Sequence, residues 1–320
     1  MTRISKARRE FARQLPLQVF VWMGLLFLIL FSIIPMSGII IAFKDYNIRS
    51  GFSGMFTSPW ADNFGFKNFI TFVTNRKFEV LVRNTVCISG LKLFFSFPFA
   101  IIFALMLTEV RSKGYKRMVQ TASYLPHFVS WTVVAGILYA MFSTNIGVIN
   151  ELLTTLGIIR EPIPLLIEPD YYYFLAVASE IWKETGWSAI IYLAAISGID
   201  PSLYESAQVD GAGRLRRIWH ITLPGISGTI AVLLILAVGG LFSGSFDQAM
   251  MLGNSMNKTH SEIIDVYVYE MGLSKQRYSY ATAVGLFQSI ISFVLVMAAN
   301  WGSGKITGSE IGRASCRERV

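Results

Sequence analysis

Long apolar runs broken by short polar stretches set the pattern of this chain. At ~1.5 Å rise per helical residue, a run of ~20 residues crosses a ~30 Å hydrocarbon core. Six runs reach that length, and they predict spans at Leu17–Phe43, Asn84–Thr108, Val119–Ser143, Tyr172–Ile196, Ile226–Phe246 and Tyr280–Trp301. The expected fold is an all-α integral membrane protein, a six-span helical bundle with a helix–turn–helix in the loop before span five. No repeat, low-complexity stretch or linker divides it, so residues 17–308 read as one transmembrane domain after an N-terminal segment, 1–16. The opening MTRISKARREFARQ and the apolar run behind it resemble a signal peptide. The run is too long for an h-region and no small-residue cleavage site closes it, so it reads as a retained span.

Composition supports the membrane reading. Hydrophobic residues make up 53% of the 320 and charged residues 15%, whereas soluble domains carry about 25% charged residues. That excludes a soluble enzyme, a disulfide scaffold and a disordered chain. With only Cys87 and Cys316, neither a disulfide framework nor a Cys-rich metal site is supported.

The net charge of +8 is explained by topology and calls for no nucleic acid. Segments 1–16, 109–118, 197–225 and 302–320 hold 16 Lys/Arg, against 10 in the longer alternate loops 44–83, 144–171 and 247–279. Basic residues collect in cytoplasmic loops, so both termini are expected in the cytoplasm. The last residues, 309–320, end in GRASCRERV, which resembles vector-derived read-through, and they are set aside with Cys316.

Polar residues interrupt spans two to four. Pro126, His127 and Trp131 fall in span three, Lys92 in span two, and Glu180, Lys183 and Glu184 in span four. The last three lie three and four positions apart and share a helix face. Ionisable groups at membrane depth cost several kcal/mol unless paired or wetted (~2.5–3.5 on insertion scales). They therefore face a cavity or pair with one another.

The loop before span five, YESAQVDGAGRLRRIWHITLPGI from Tyr204 to Ile226, is the most informative segment. A polar helix starting at Pro201 runs into Asp210-Gly211-Ala212-Gly213. An amphipathic stretch with Leu215, Ile218, Trp219 and Leu223 follows, and Pro224 precedes the span. Asp caps helices and Gly tolerates positive φ, which makes the segment a helix–turn–helix at the membrane's inner face. Charge and spacing alone also fit an interfacial anchor with no partner.

Glu205-Ser206-Ala207, Asp210-Gly211-Ala212, Ile221 and Leu223-Pro224 resemble the "EAA" signature of permease subunits of binding-protein-dependent ABC importers, with its spacing kept. Ser206 replaces the usual first Ala, and Ile218 stands where an aromatic is common. Gly65-Phe66-Lys67-Asn68-Phe69 with Asn84-Thr85, and Phe246-Asp247-Gln248, look like carbohydrate permeases. Tyr124 to Trp131 is similar to the subgroup serving complex oligo- and polysaccharides. The likeness covers Leu17 to Gly308 and is closest to permeases of alginate importers.

The resemblance implies a type I ABC importer permease in a bacterial inner membrane. Its loop would be a coupling helix seated on an ATPase subunit, with Glu205, Ser206, Ala207, Asp210, Gly211, Ala212, Ile218, Ile221, Leu223 and Pro224 as the coupling residues. The implied partners are a second permease, two ATPase subunits that hold ATP and Mg, an external solute-binding protein, the saccharide and the lipid bilayer. The chain itself would be non-catalytic and without a cofactor.

Saccharide transport calls for aromatic faces and polar side chains. Lys92, Glu180, Trp182, Lys183, Glu184, Trp187, Phe242, Ser243, Ser245, Phe246, Phe287 and Gln288 are candidate path residues, and each is equally a candidate for bundle packing. Lys92 and Lys183 suit an acidic saccharide or, more simply, neutralise Glu180 and Glu184.

Several motifs are decoys. Gly302-Ser303-Gly304-Lys305-Ile306-Thr307 has Ile306 where a phosphate-binding loop needs Ser or Thr. His127, His220 and His260 are too dispersed for a zinc site. Asn257-Lys258-Thr259 is a glycosylation sequon of the kind that occurs by chance. A stand-alone secondary transporter would show inverted repeats and broken spans, and a lipid-linked-sugar enzyme would show a carboxylate or metal constellation. Neither pattern is clear.

Overall fold

The computed structural model describes residues 14–242 and 246–307, with the side chains of 15–17 and 303–307 excepted. Residues 1–13, 243–245 and 308–320 lie outside the described residues, and with them the basic N-terminal segment, the C-terminal tail, Ser243 and Ser245. The described residues are helical, and their one extended pairing is an isolated bridge between Lys44 and Trp60. The principal helices are α1 (Leu15–Leu28), α2 (Phe78–Glu109), α3 (Lys113–Tyr124), α4 (Trp131–Phe142), α5 (Tyr172–Ser197), α6 (Pro201–Val209), α7 (Ser227–Gly239) and α8 (Tyr278–Thr307). The chain forms two compact units, residues 1–74 with 268–286, and residues 75–267 with 287–320.

Three segments are each long and apolar enough to cross a membrane: Gln18–Phe43, Phe78–Glu109 and Tyr278–Gly302. Spans three and five differ from the continuous helices expected. Lys113–Phe128 and Trp131–Phe142 meet at 104°, and Arg214–Gly225 and Ser227–Phe242 at 63°. The first break follows from Leu125–Phe128, a 3-10 turn containing Pro126, after which Val129 is extended. Ser130 then restarts the helix by accepting the Val133 N–H on its side chain. α5 has the length of a span at 26 residues, but Glu180, Lys183 and Glu184 sit along it.

Proline also explains the π-turns at Ile29–Ile33 and Ile218–Thr222. Each is followed two residues later by a proline, Pro35 or Pro224. The ring clashes with the carbonyl four residues back and lacks an N–H, so the turn before it widens and bonds i to i+5: Ile34 N–H to Ile29 and Leu223 N–H to Ile218.

In the smaller unit Phe43 packs between Phe66 and Phe69, with ring centroids 5.6 and 5.3 Å away. Asn68 donates its amide to the Ala42 carbonyl at 3.1 Å, so the Lys67-Asn68-Phe69 segment is a clasp for the end of the first span.

The larger unit is built on the pairing of α2 with α5. One apolar cluster joins Ala100, Ala104 and Leu105 of α2 to Ala189, Tyr192 and Ile196 of α5 and to Ile226. A second joins Ile88 to Tyr172, Leu175 and Ala176 and to Ala249, Leu252 and Ile263. α3 crosses α5 so closely that a Cβ on Gly186 would lie 2.1 Å from the Ser123 carbonyl oxygen, and only glycine fits there. Asn84, fully buried, donates to the Thr259 and Glu262 carbonyls at 3.0 and 3.1 Å and accepts the Tyr173 hydroxyl at 2.8 Å. The sequon asparagine, Asn257, is also buried, donating to the Leu166 and Leu252 carbonyls. It has a structural role.

Candidate functional site

α2 and α5, with α7 as a third wall, enclose a cavity of about 330 Å³. Charged groups in an apolar helix must be matched, and here they are matched across helices. Lys92 of α2 meets Glu180 of α5 at 3.1 Å. One turn along α5, Glu184 takes the Lys183 ammonium at 2.9 Å and lies 2.7 Å from Nδ1 of His127. Lys183 also donates to the His127 carbonyl at 2.8 Å and sits 5.6 Å from the centre of the Trp131 ring. The break between α3 and α4 is thus the place where His127 enters the α5 network. Trp187 stacks on His127 with centroids 4.4 Å apart. A neighbouring cavity shares Glu180, Glu184 and Ser188 and is closed by Trp131, Phe246, Asp247 and Gln248.

The second assembly is the loop 200–225. Asp200 caps α6 by accepting the Ser202 N–H at 2.9 Å, and that bond to the charged form holds the Asp200 carboxyl below its ordinary 3.8. At the other end Gly211 has φ +77°. Its N–H bonds the Gln208 carbonyl at 3.1 Å, and the Ala212 N–H bonds Ala207 at 2.8 Å. These two bonds, with glycine in the left-handed conformation between them, make a Schellman motif. The Asp-Gly-Ala sequence is therefore the C-cap of α6, and its backbone closes Ala212 onto Ala207.

Two contacts fix the loop to the bundle. The Tyr204 hydroxyl lies 3.0 Å from Thr222 Oγ1, and Arg214 lies 3.6 Å from Glu109 at the end of α2. Glu205, Ser206, Asp210, Gly211 and Pro224 are exposed, while Ala207, Ala212, Ile218, Ile221 and Leu223 are half-buried beneath them. These ten residues thus divide into an outward face and a half-buried layer beneath it.

Residues 96–305 match the family described as "Binding-protein-dependent transport system inner membrane component". The chain belongs to that family. Protein LplB of Bacillus subtilis (strain 168) is 46% identical over 278 residues, 87% of this chain and 85% of LplB. The polygalacturonan/rhamnogalacturonan transport system permease protein YteP of the same organism is 44% identical over 87% of this chain and 84% of YteP. A crystal structure of a bacterial ABC transporter involved in import of the acidic polysaccharide alginate contains a chain that superposes with TM-score 0.84 and 38% identity. The match covers 94% of this chain and 99% of that one. A second crystal structure, of an alginate ABC transporter in complex with alginate pentasaccharide-bound periplasmic protein, matches with TM-score 0.84 at 37% identity. This chain is therefore a multi-pass inner-membrane transport permease of the type I ABC importer fold.

In this permease the candidate path residues separate. Lys92, Glu180, Glu184 and Trp187 line the cavity between α2 and α5, and Phe246 the neighbouring one. Trp182 is 50% exposed and lines neither, since two residues turn it ~200° from Glu180. Lys183 is buried in the network with Glu184 and the His127 carbonyl, which makes it a strut and not part of the wall. Phe242 is buried and its carbonyl accepts the Gln288 amide, which also bonds Asp265 at 2.6 Å. Phe287 packs edge-on against Phe78 at 6.0 Å. None of these five lines either of the two cavities.

Sequence reasoning singled out His127 as a polar interruption of span three without counting it among the path residues, and missed the wall residues Ser89, Ser96, Thr185 and Ser188. A signal was present. Ser89, Lys92 and Ser96 recur at helical spacing on α2, and Glu180, Glu184 and Ser188 on α5, as polar stripes on otherwise apolar helices.

Proposed function

We propose that this permease is one of a pair through which an ATP-driven importer carries a carboxylate-bearing oligo- or polysaccharide into the cytoplasm. The chain is non-catalytic in this reading, and ATP and Mg are held by two partner ATPase subunits. An external solute-binding protein delivers the sugar, and the basic segments, both termini included, face the cytoplasm. The acidic substrate class is supported by the substrates that YteP and the alginate transporter carry.

The observation that carries the coupling role is the exposed Schellman turn at Asp210-Gly211, held to the bundle by Tyr204–Thr222 and Arg214–Glu109. A rigid knob fixed to the ends of membrane helices transmits closure of the ATPase dimer as a displacement of those helices. Glu205, one helical turn before the cap, is exposed and placed to pair with a basic residue of the ATPase. The test is ATP-dependent uptake of oligogalacturonate in liposomes by the full complex carrying Asp210→Arg or Gly211→Trp. Uptake is expected to collapse while the permease pair still assembles. Undiminished uptake by both variants would make the loop a membrane anchor only.

A further inference from the structure

We infer that the cavity between α2 and α5 is a saccharide subsite in which Lys92 exchanges Glu180 for a carboxylate of the passing sugar. The inference rests on the importer reading above and assigns the group that recognises the substrate's charge.

Three independent features of the wall point to such a ligand. The first is the Lys92–Glu180 pair itself, whose side chains are 11% and 24% exposed. The second is a pair of buried hydroxyls on wall residues, Ser96 Oγ and Thr185 Oγ1, that have no hydrogen-bond partner among the described residues, and Thr185 is only 8% exposed. A buried hydroxyl left unbonded is destabilising, and a sugar hydroxyl that reaches it relieves that cost. The third is the Trp187 ring, stacked on His127 and lining the same wall. An aromatic face, two unbonded hydroxyls and a charged pair are the groups that a uronic acid unit recognises. The volume, about 330 Å³, lies at the lower end of the ~300–1,000 Å³ of small-ligand sites.

The resident Glu180 gives the subsite its character. An unpaired lysine at this depth would be costly and would hold an anion too firmly to release it. With Glu180 in place, binding is an exchange of one carboxylate for another at the Lys92 ammonium. Glu180 also borders the neighbouring cavity beside Ser188 and Gln248, so the displaced carboxylate has a polar space to turn into. Reversal of the swap expels the sugar.

The test uses the assembled complex of permease pair and ATPases, with radiolabelled trigalacturonate and its neutral methyl ester as probes in equilibrium dialysis. The wild-type complex is expected to prefer the acid by about tenfold. The double variant Lys92→Gln/Glu180→Gln, which leaves no lone buried charge, should bind the two forms equally through loss of the acid. Thr185→Val should weaken both forms alike. Absence of a preference in the wild type, a preference retained by the double variant, or a proportional loss of both forms in it overturns the subsite. ATP-driven uptake of trigalacturonate by the wild-type complex is scored separately. If it occurs while the preference test fails, only the subsite is lost; if no saccharide is taken up, the importer reading fails.

Discussion

His127 lies face to face with Trp187, their planes 1° apart and centroids 4.4 Å apart, while its Nδ1 reaches Glu184 at 2.7 Å. One side chain from the break between α3 and α4 is thus held twice by α5, once by an apolar ring and once by a carboxylate. The pairing ties to α5 a bend of 104° that the Pro126 turn opens. His127→Ala removes both contacts and leaves Glu184 with Lys183 only. It is expected to destabilise the complex by about 1–2 kcal/mol, discounted because the Glu184 side chain is 26% exposed. Thermal unfolding reads the loss, and a red shift of Trp187 emission, absent in a Trp187→Phe control, places it at this contact. An unchanged melting temperature with unchanged emission would rule out the tie.

The Schellman turn makes a prediction about backbone and not about contacts. Nothing lies within 4 Å of where a Cβ on Gly211 would stand, yet its φ is +77°. Gly211→Ala should therefore cost about 1 kcal/mol through the left-handed conformation alone, and Gly211→Asn less, because Asn visits that region more readily. The readout is hydrogen exchange at the Ala212 amide, whose bond to Ala207 closes the turn at 2.8 Å. About fivefold faster exchange in the alanine variant is expected. Equal protection in both variants would mean that the turn is held from outside.

How much of this was legible in the sequence depends on how local each signal is. The helix–turn–helix was readable because Asp200, Asp210 and Gly211 act within a few residues of themselves, and a cap or an αL glycine leaves its mark in the chain. The bend at 125–130 was half readable: Pro126 announces an interruption, but its angle depends on Ser130 capping the next helix and on His127 finding Glu184. The charge balance was readable, since Lys92 and Lys183 were the cations available to neutralise Glu180 and Glu184. Which carboxylate each takes was left to packing: Glu180 pairs with Lys92, 88 residues away, and Lys183 with its neighbour Glu184. Membrane helices satisfy ionic groups through whichever helix packs alongside, and periodicity says nothing of that choice. Trp182 and Phe287 stand outside both cavities for a related reason: aromatic character marks both wall and packing, and only the neighbour decides.

The α6 cap carries a pH prediction. The Ser202 backbone N–H bonds the ionised Asp200 carboxylate, with a further bond from the Ser202 side chain, and together they hold its pKa below 3.8 in the folded chain. A depressed carboxyl contributes its stabilisation above the unfolded value and loses it as pH falls through the native one. Protection of the 201–209 amides should accordingly stay flat from pH 8 to about 5 and decline only below about 4, where the carboxyl takes up its proton. Asp200→Asn keeps an oxygen acceptor and should abolish the acid-dependent step, whereas Asp200→Ala should lower protection at every pH. Hydrogen exchange across that range separates the three curves. If the asparagine variant retained the decline, the titrating group would lie elsewhere, and Asp200 would serve α6 only as a neutral acceptor.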